Sequence, residues 1–144
     1  MEPNTFEEIE HIKKLKARYF RLIDTKQWDA WGELFTEDVS VVCQGPHPDI
    51  RCEGRADLVA RVRKALAKAV TVHHGHMPEI ELTSPTTATG IWAMFDIVQS
   101  PQLNFKGYGH YEEEYVKQAS TWRIKNLLLT RLHCDVTQES PERS

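Results

Sequence analysis

The 144 residues, 40% hydrophobic and 27% charged with a formal net charge of −3, describe one soluble globular domain with chain enough for a real core. The basic clusters, Lys13–Lys14 and Arg61–Lys64, fall on predicted helices and set aside nucleic acid as a partner, while the longest aliphatic run, Leu127–Leu129, excludes a membrane span of ~20 residues. Cys43, Cys52 and Cys134 are odd in number and lack CxxC spacing, and the acidic start (Glu2, Glu7, Glu8, Glu10) does not resemble a signal peptide, so reduced thiols and a cytoplasmic location are expected.

Thr5 and Glu8 fit a capping box, with Thr5 as N-cap and Glu8 reaching back. From there Phe6, Ile9, Ile12, Leu15, Tyr19, Leu22 and Ile23 recur at helical spacing, which predicts a long amphipathic helix to about Asp24. Trp28, Trp31, Leu34 and Phe35 mark a second, shorter helix that ends near Thr36–Asp38. Val39–Cys43 reads as a short strand and Gln44–Asp49 as a turn-rich loop. Gly54 opens a third helix with Leu58, Val59, Val62, Leu66 and Ala69 as its stripe. Four strands follow at roughly 70–82, 86–99, 105–118 and 121–134, and their short connections make them antiparallel neighbours. Thr87–Val98 is apolar on both alternating faces, which predicts a strand covered on both sides. The domain thus spans 1–134, with a loose polar tail at 135–144. This order makes an α+β fold, three N-terminal helices packed on one curved, mostly antiparallel sheet, a cone whose open end suits one small apolar ligand.

The stretch Thr71–Leu82 carries His73, His74 and His76 within four residues of one another, a density no strand needs. Histidine titrates near neutrality, so such a cluster on a strand points to proton transfer or metal binding. By strand parity His73 faces one way and His74 and His76 the other. His74-Gly-His76 with Glu81 is similar to a cupin ligand pattern, but the flanking glycines are out of register and a cupin begins with strands, so no metal is assigned. Tyr19 sits in the apolar series of the first helix and either fills the core or turns its hydroxyl to a partner. Asp24 either caps the next helix or reaches His73. Asp96, on the same strand face as Trp92 and Met94, must be paired, protonated or solvated at the strand end. Arg131 is a cation in an otherwise aliphatic last strand, a site group or a surface ion pair.

Assembled in this order, Ile12 to Asp24 with Trp28, His73 to Ile80, Ala88 to Trp92 with Asp96, Gly107 to Tyr115, and Trp122 up to Arg131 resemble the nuclear-transport-factor-2-like superfamily. More narrowly the chain resembles its SnoaL-like branch, which includes scytalone dehydratase, bile-acid dehydratase and hexachlorocyclohexane dehydrochlorinase. The resemblance covers about residues 6–134 and implies a cone-shaped α+β barrel, no cofactor, and lyase chemistry of the dehydratase type on a small hydrophobic cyclic substrate. It implies Tyr19, Asp24, His73, Asp96 and Arg131 as the active-site set, with His73 and Asp24 as a general-base dyad and Tyr19 as acid or oxyanion donor. The segment Ile97–Phe105 is shorter than in the bile-acid enzyme, which changes the pocket mouth. The fold also hosts isomerases, cyclases and non-catalytic binding or assembly subunits, which stand as the alternative. Strands apolar on both faces suggest a homo-oligomer, with a trimer or dimer expected from the resemblance.

Overall fold

The structure, a computed structural model, describes residues 4–46 and 48–139. Helix α1 (Thr5–Asp24) and helix α2 (Trp28–Gly32) precede strands β1 (Phe35–Cys43) and β2 (Ile50–Glu53), helix α3 (Arg55–Leu66), and strands β3 (Val70–Ser84), β4 (Thr87–Gln99), β5 (Leu103–Gln118) and β6 (Thr121–Glu139). The strands form one curved sheet in the order β2-β1-β6-β5-β4-β3. The last four strands are joined by tight connections and pair antiparallel, as expected. β1 pairs parallel to β6, a contact that needs the long crossover through α3 and the hairpins. The α+β layering is the expected one, but the sheet is open and not a closed barrel, with β2 and β3 as its edges.

Several expectations give way to tertiary contacts. The α1 N-cap is Asn4, whose side chain accepts from the amides of Phe6 and Glu7, and not Thr5. Glu8 does not close a capping box. It lies one turn before Ile12 on the buried side of α1 and accepts from Trp122 Nε1 at 2.9 Å and Lys117 Nζ at 2.5 Å. The second helix stops at Gly32, and Phe35 already pairs with Ile124 in β1. An apolar run of Trp31, Leu34 and Phe35 fits a helix face or a strand entry equally, and the parallel pairing with β6 decides. After the expected loop, the unassigned stretch before Gly54 forms the edge strand β2, which pairs with Ser40–Cys43. β6 runs five residues past 134 because Leu103–Lys106 offer it a ladder, so 135–139 are not a loose tail, while 140–144 lie outside the described residues.

The helices cover one sheet face. α1 buries Ile12, Leu15, Tyr19, Leu22 and Ile23, the predicted stripe, and with them Lys16. Full burial of a side chain such as Phe35 or Ile124 contributes about 2 kcal/mol each. The side chains of Tyr19, Trp31 and Phe35 meet at ring-centroid distances of 4.8–6.0 Å, mostly edge to face. Gly75 on β3 leaves room for Phe20, whose ring would lie 2.5 Å from a methyl added there. The opposite face is uncovered along β4, where Ile91 is 41% exposed.

Candidate functional site

Asp24 is the last residue of α1, at the helix end where a negative charge is least favoured. Three donors compensate. Its Oδ1 lies 2.7 Å from His73 Nδ1 and accepts from Thr71 Oγ1 at 2.9 Å, while Oδ2 accepts from the His73 backbone amide at 2.9 Å. α2 begins at Trp28 with Gln27 as its N-cap, so Asp24 serves β3 and not the next helix. An ionised carboxylate only accepts, so Nδ1 of His73 is the donor of this contact, and in the neutral ring Nε2 is then the nitrogen with the lone pair. His73 is buried and lines a cavity of about 560 Å³ between α1, α3 and the sheet.

Apolar groups dominate that cavity, among them Ile23, Val62, Leu66, Val98, Phe105 and Leu129. Tyr19, His73, Asp96 and Arg131 all open onto it, so four of the five expected residues share one wall, and Asp24 stands behind His73. Asp96 is 2% exposed and takes a bidentate pair from Arg131, Nη1 and Nη2 each at 3.0 Å, so it is neither solvated nor free. Arg131 Nε donates to the Gln44 carbonyl at 2.7 Å, which holds the guanidinium in one orientation. The pair raises the already high Arg131 pKa against burial, which pulls it down. Gly107 makes the approach possible, since a methyl there would fall 1.8 Å from Arg131 Nη1.

Burial pushes the phenols of Tyr19 and Tyr111 well above the ordinary range, so both are neutral donors. The same wall holds residues that the sequence reading left out. Tyr111 lines the cavity, and its buried hydroxyl makes no hydrogen bond of full geometry among the described residues, its polar neighbour in reach being Tyr19, whose pKa it lowers against burial. Cys43 also lines it, its thiol pushed up to about 12 by burial. Beneath lies Lys16, fully buried and ion-paired with Glu113. A signal for this pair was present, because Lys16 occupies the apolar stripe of α1 and Glu113 shares strand parity with Tyr111 and Tyr115. Two opposite charges at core positions imply a partner for each.

His74 and His76 face away from the cavity, as strand parity requires, and His74 packs near Phe95 with ring centroids 6.3 Å apart. β3 is irregular between His76 and Glu79, where Met77 takes φ 49° and Pro78 cannot donate to the ladder. Among the described residues, no three of His, Cys, Asp or Glu gather into a group able to hold a metal ion. A second groove, about 590 Å³ on the uncovered sheet face, is lined by Glu112, Glu114 and Asn126 and by none of the expected residues.

Comparison with known proteins gives the family and agrees with the fold. The SnoaL-like domain model matches residues 4–127, and the chain belongs to that family. A Gibberella zeae protein named as a probable cyclase is 23% identical over 134 residues, 85% of this chain and 89% of its own. Among solved structures, a Novosphingobium aromaticivorans protein named as a candidate scytalone dehydratase superposes with a TM-score of 0.82 at 20% identity, covering 97% of each chain. The hexachlorocyclohexane dehydrochlorinase of Novosphingobium barchaimii superposes with a TM-score of 0.78 at 14% identity over 92% of this chain and 91% of its own. At these identities the solved structures establish the fold.

Proposed function

We propose that this member of the SnoaL-like family is a lyase of the dehydratase type, needing no cofactor, that acts on a small hydrophobic cyclic substrate. The carrying observation is the His73–Asp24 pair at 2.7 Å opening onto an apolar cavity of about 560 Å³. Asp24 holds the Nδ1–H tautomer and stabilises the imidazolium that forms when Nε2 removes a proton next to a carbonyl. Tyr19 donates to the oxygen on which charge develops, or protonates the departing hydroxyl. The Asp96–Arg131 pair is neutral as a unit and presents oriented dipoles to the same space. An apolar lining strengthens each of these interactions by keeping water out. The names of the relatives, a cyclase, a scytalone dehydratase and a dehydrochlorinase, fit a shared proton-abstraction step.

The test is a mass-spectrometric screen of cyclic hydroxy-ketones, hydroxysteroid thioesters and hydroxylated aromatics, scored for loss of water and for isomerisation. Wild type turns over one class, His73→Ala abolishes it, and Asp24→Asn lowers kcat by about 10²–10⁴ because the amide no longer holds the productive tautomer. Isomerisation without water loss would replace the lyase reading by an isomerase using the same dyad. Binding without any change in the ligand would move a non-catalytic binding role ahead.

A further inference from the structure

The Lys16 ammonium is fully buried, yet it is not simply one half of an ion pair. It lies 3.6 Å from the ring centroid of Tyr19 and 3.6 Å from that of Tyr111, in the angle between two rings inclined at 78°. Glu113 holds it there. Glu113 Oε1 also accepts from the Tyr115 hydroxyl at 2.6 Å, and the Tyr115 oxygen in turn accepts from Trp92 Nε1 at 2.9 Å, so the anchor is itself fixed at every step. Both phenols whose faces rest on the cation line the cavity, and the buried Tyr111 hydroxyl makes no hydrogen bond of full geometry among the described residues, only a weaker approach to Tyr19 that brings the two phenols together. A buried hydroxyl without a partner costs about 1–3 kcal/mol unless a ligand satisfies it. A cation against a phenol face draws density from the ring and makes its O–H a stronger donor.

We propose that Tyr111 is a second hydrogen-bond donor of the cavity and that Lys16 is the positioning residue that makes Tyr19 and Tyr111 a paired site for one oxyanion of the ligand, an enolate or phenolate oxygen. The inference rests on the lyase reading for its catalytic meaning, but the site can be measured without turnover. Buried neutral donors aimed at one oxygen favour the anion over the neutral molecule. Lys16 is faced by Tyr19 on its own helix, by Glu113 and Tyr111 on β5, and by Cys43 on β1. Burial, opposed by Glu113, brings its amine down to about 8. Its charge is therefore present at neutral pH and declines through that value.

The probe is 4-nitrophenol, whose phenol and phenolate forms absorb at different wavelengths and which fits a cavity of about 560 Å³. Wild type binds the phenolate in preference to the phenol. Tyr111→Phe and Tyr19→Phe each weaken phenolate binding about tenfold, the worth of one hydrogen bond to a charged oxygen. Lys16→Met leaves Glu113 uncompensated and is prone to misfolding, so the decisive variant is Lys16→Met with Glu113→Gln, which removes both charges. Folded by its urea transition, this variant loses the preference for phenolate. Phenolate affinity of wild type falls as pH rises past about 8, and the double variant lacks that fall. A retained preference in the double variant overturns the role of Lys16, and an unaltered affinity in Tyr111→Phe overturns that of Tyr111. Absence of saturable binding, or binding without preference in wild type, overturns the paired site itself. None of these results depends on His73-dependent turnover, so the two readings fail separately.

Discussion

Gly107→Ala isolates the Asp96–Arg131 pair without touching either charge. Gly107 has no positive φ, so alanine adds no backbone strain there. The added methyl would lie 1.8 Å from Arg131 Nη1 and 2.3 Å from Asp96 Oδ1. Arg131 cannot swing aside freely, because its Nε is bonded to the Gln44 carbonyl and its two Nη atoms to Asp96. Disrupting a buried pair by removing a partner costs about 3–5 kcal/mol, and a displaced pair keeps part of its attraction. We therefore expect Gly107→Ala to lower stability by about 2–4 kcal/mol, including the strain of overpacking. Urea unfolding at neutral pH reads the loss as a shift in midpoint at constant slope. The same substitution in an Asp96→Ala, Arg131→Met background should cost less than about 1 kcal/mol, since a flexible thioether can move away. An equal loss in both backgrounds would refute the reasoning and place the strain in the β5 backbone.

Three further outcomes follow from other parts of the fold. The Glu8 pKa is lowered in the folded state, chiefly by its Lys117 hydrogen bond and then by Trp122. Its contribution is therefore complete above the unfolded carboxylate value and is lost as pH falls through the lower folded value; the urea-midpoint gap between wild type and Glu8→Gln should shrink in that window. Cys43, pushed up to about 12, should react with iodoacetamide at mildly alkaline pH on the order of a thousandfold more slowly folded than in urea, read by peptide mass mapping. The β5–β6 hairpin turns through Ala119 at φ 48° and Ser120 at φ 68°, so replacing them by Asn and Gly should raise stability by about 1 kcal/mol in the same urea assay.

Periodicity made most of the elements legible. The α1 stripe and the alternation of the last four strands are set by which side chains water excludes, and a register slip would expose them all. The separation of His73 from His74 and His76 follows from the strand period alone. Residue type also marked Asp24, Asp96 and Arg131 as groups that need partners. Which partner each takes depends on segments far apart in the chain. Asp24 could cap α2 or reach β3 across 49 residues, and only the packing of α1 on β3 put it against His73. Asp96 and Arg131 meet because β4, β5 and β6 lie side by side with Gly107 between them. Glu8 left its expected cap for Lys117 and Trp122 for the same reason. Lys16 stands in the apolar stripe of α1, which marks it as a cation in need of a counter-charge but does not say which one. Only the fold sets it between two tyrosine faces against Glu113, because a buried charge goes wherever the chain brings its counter-charge.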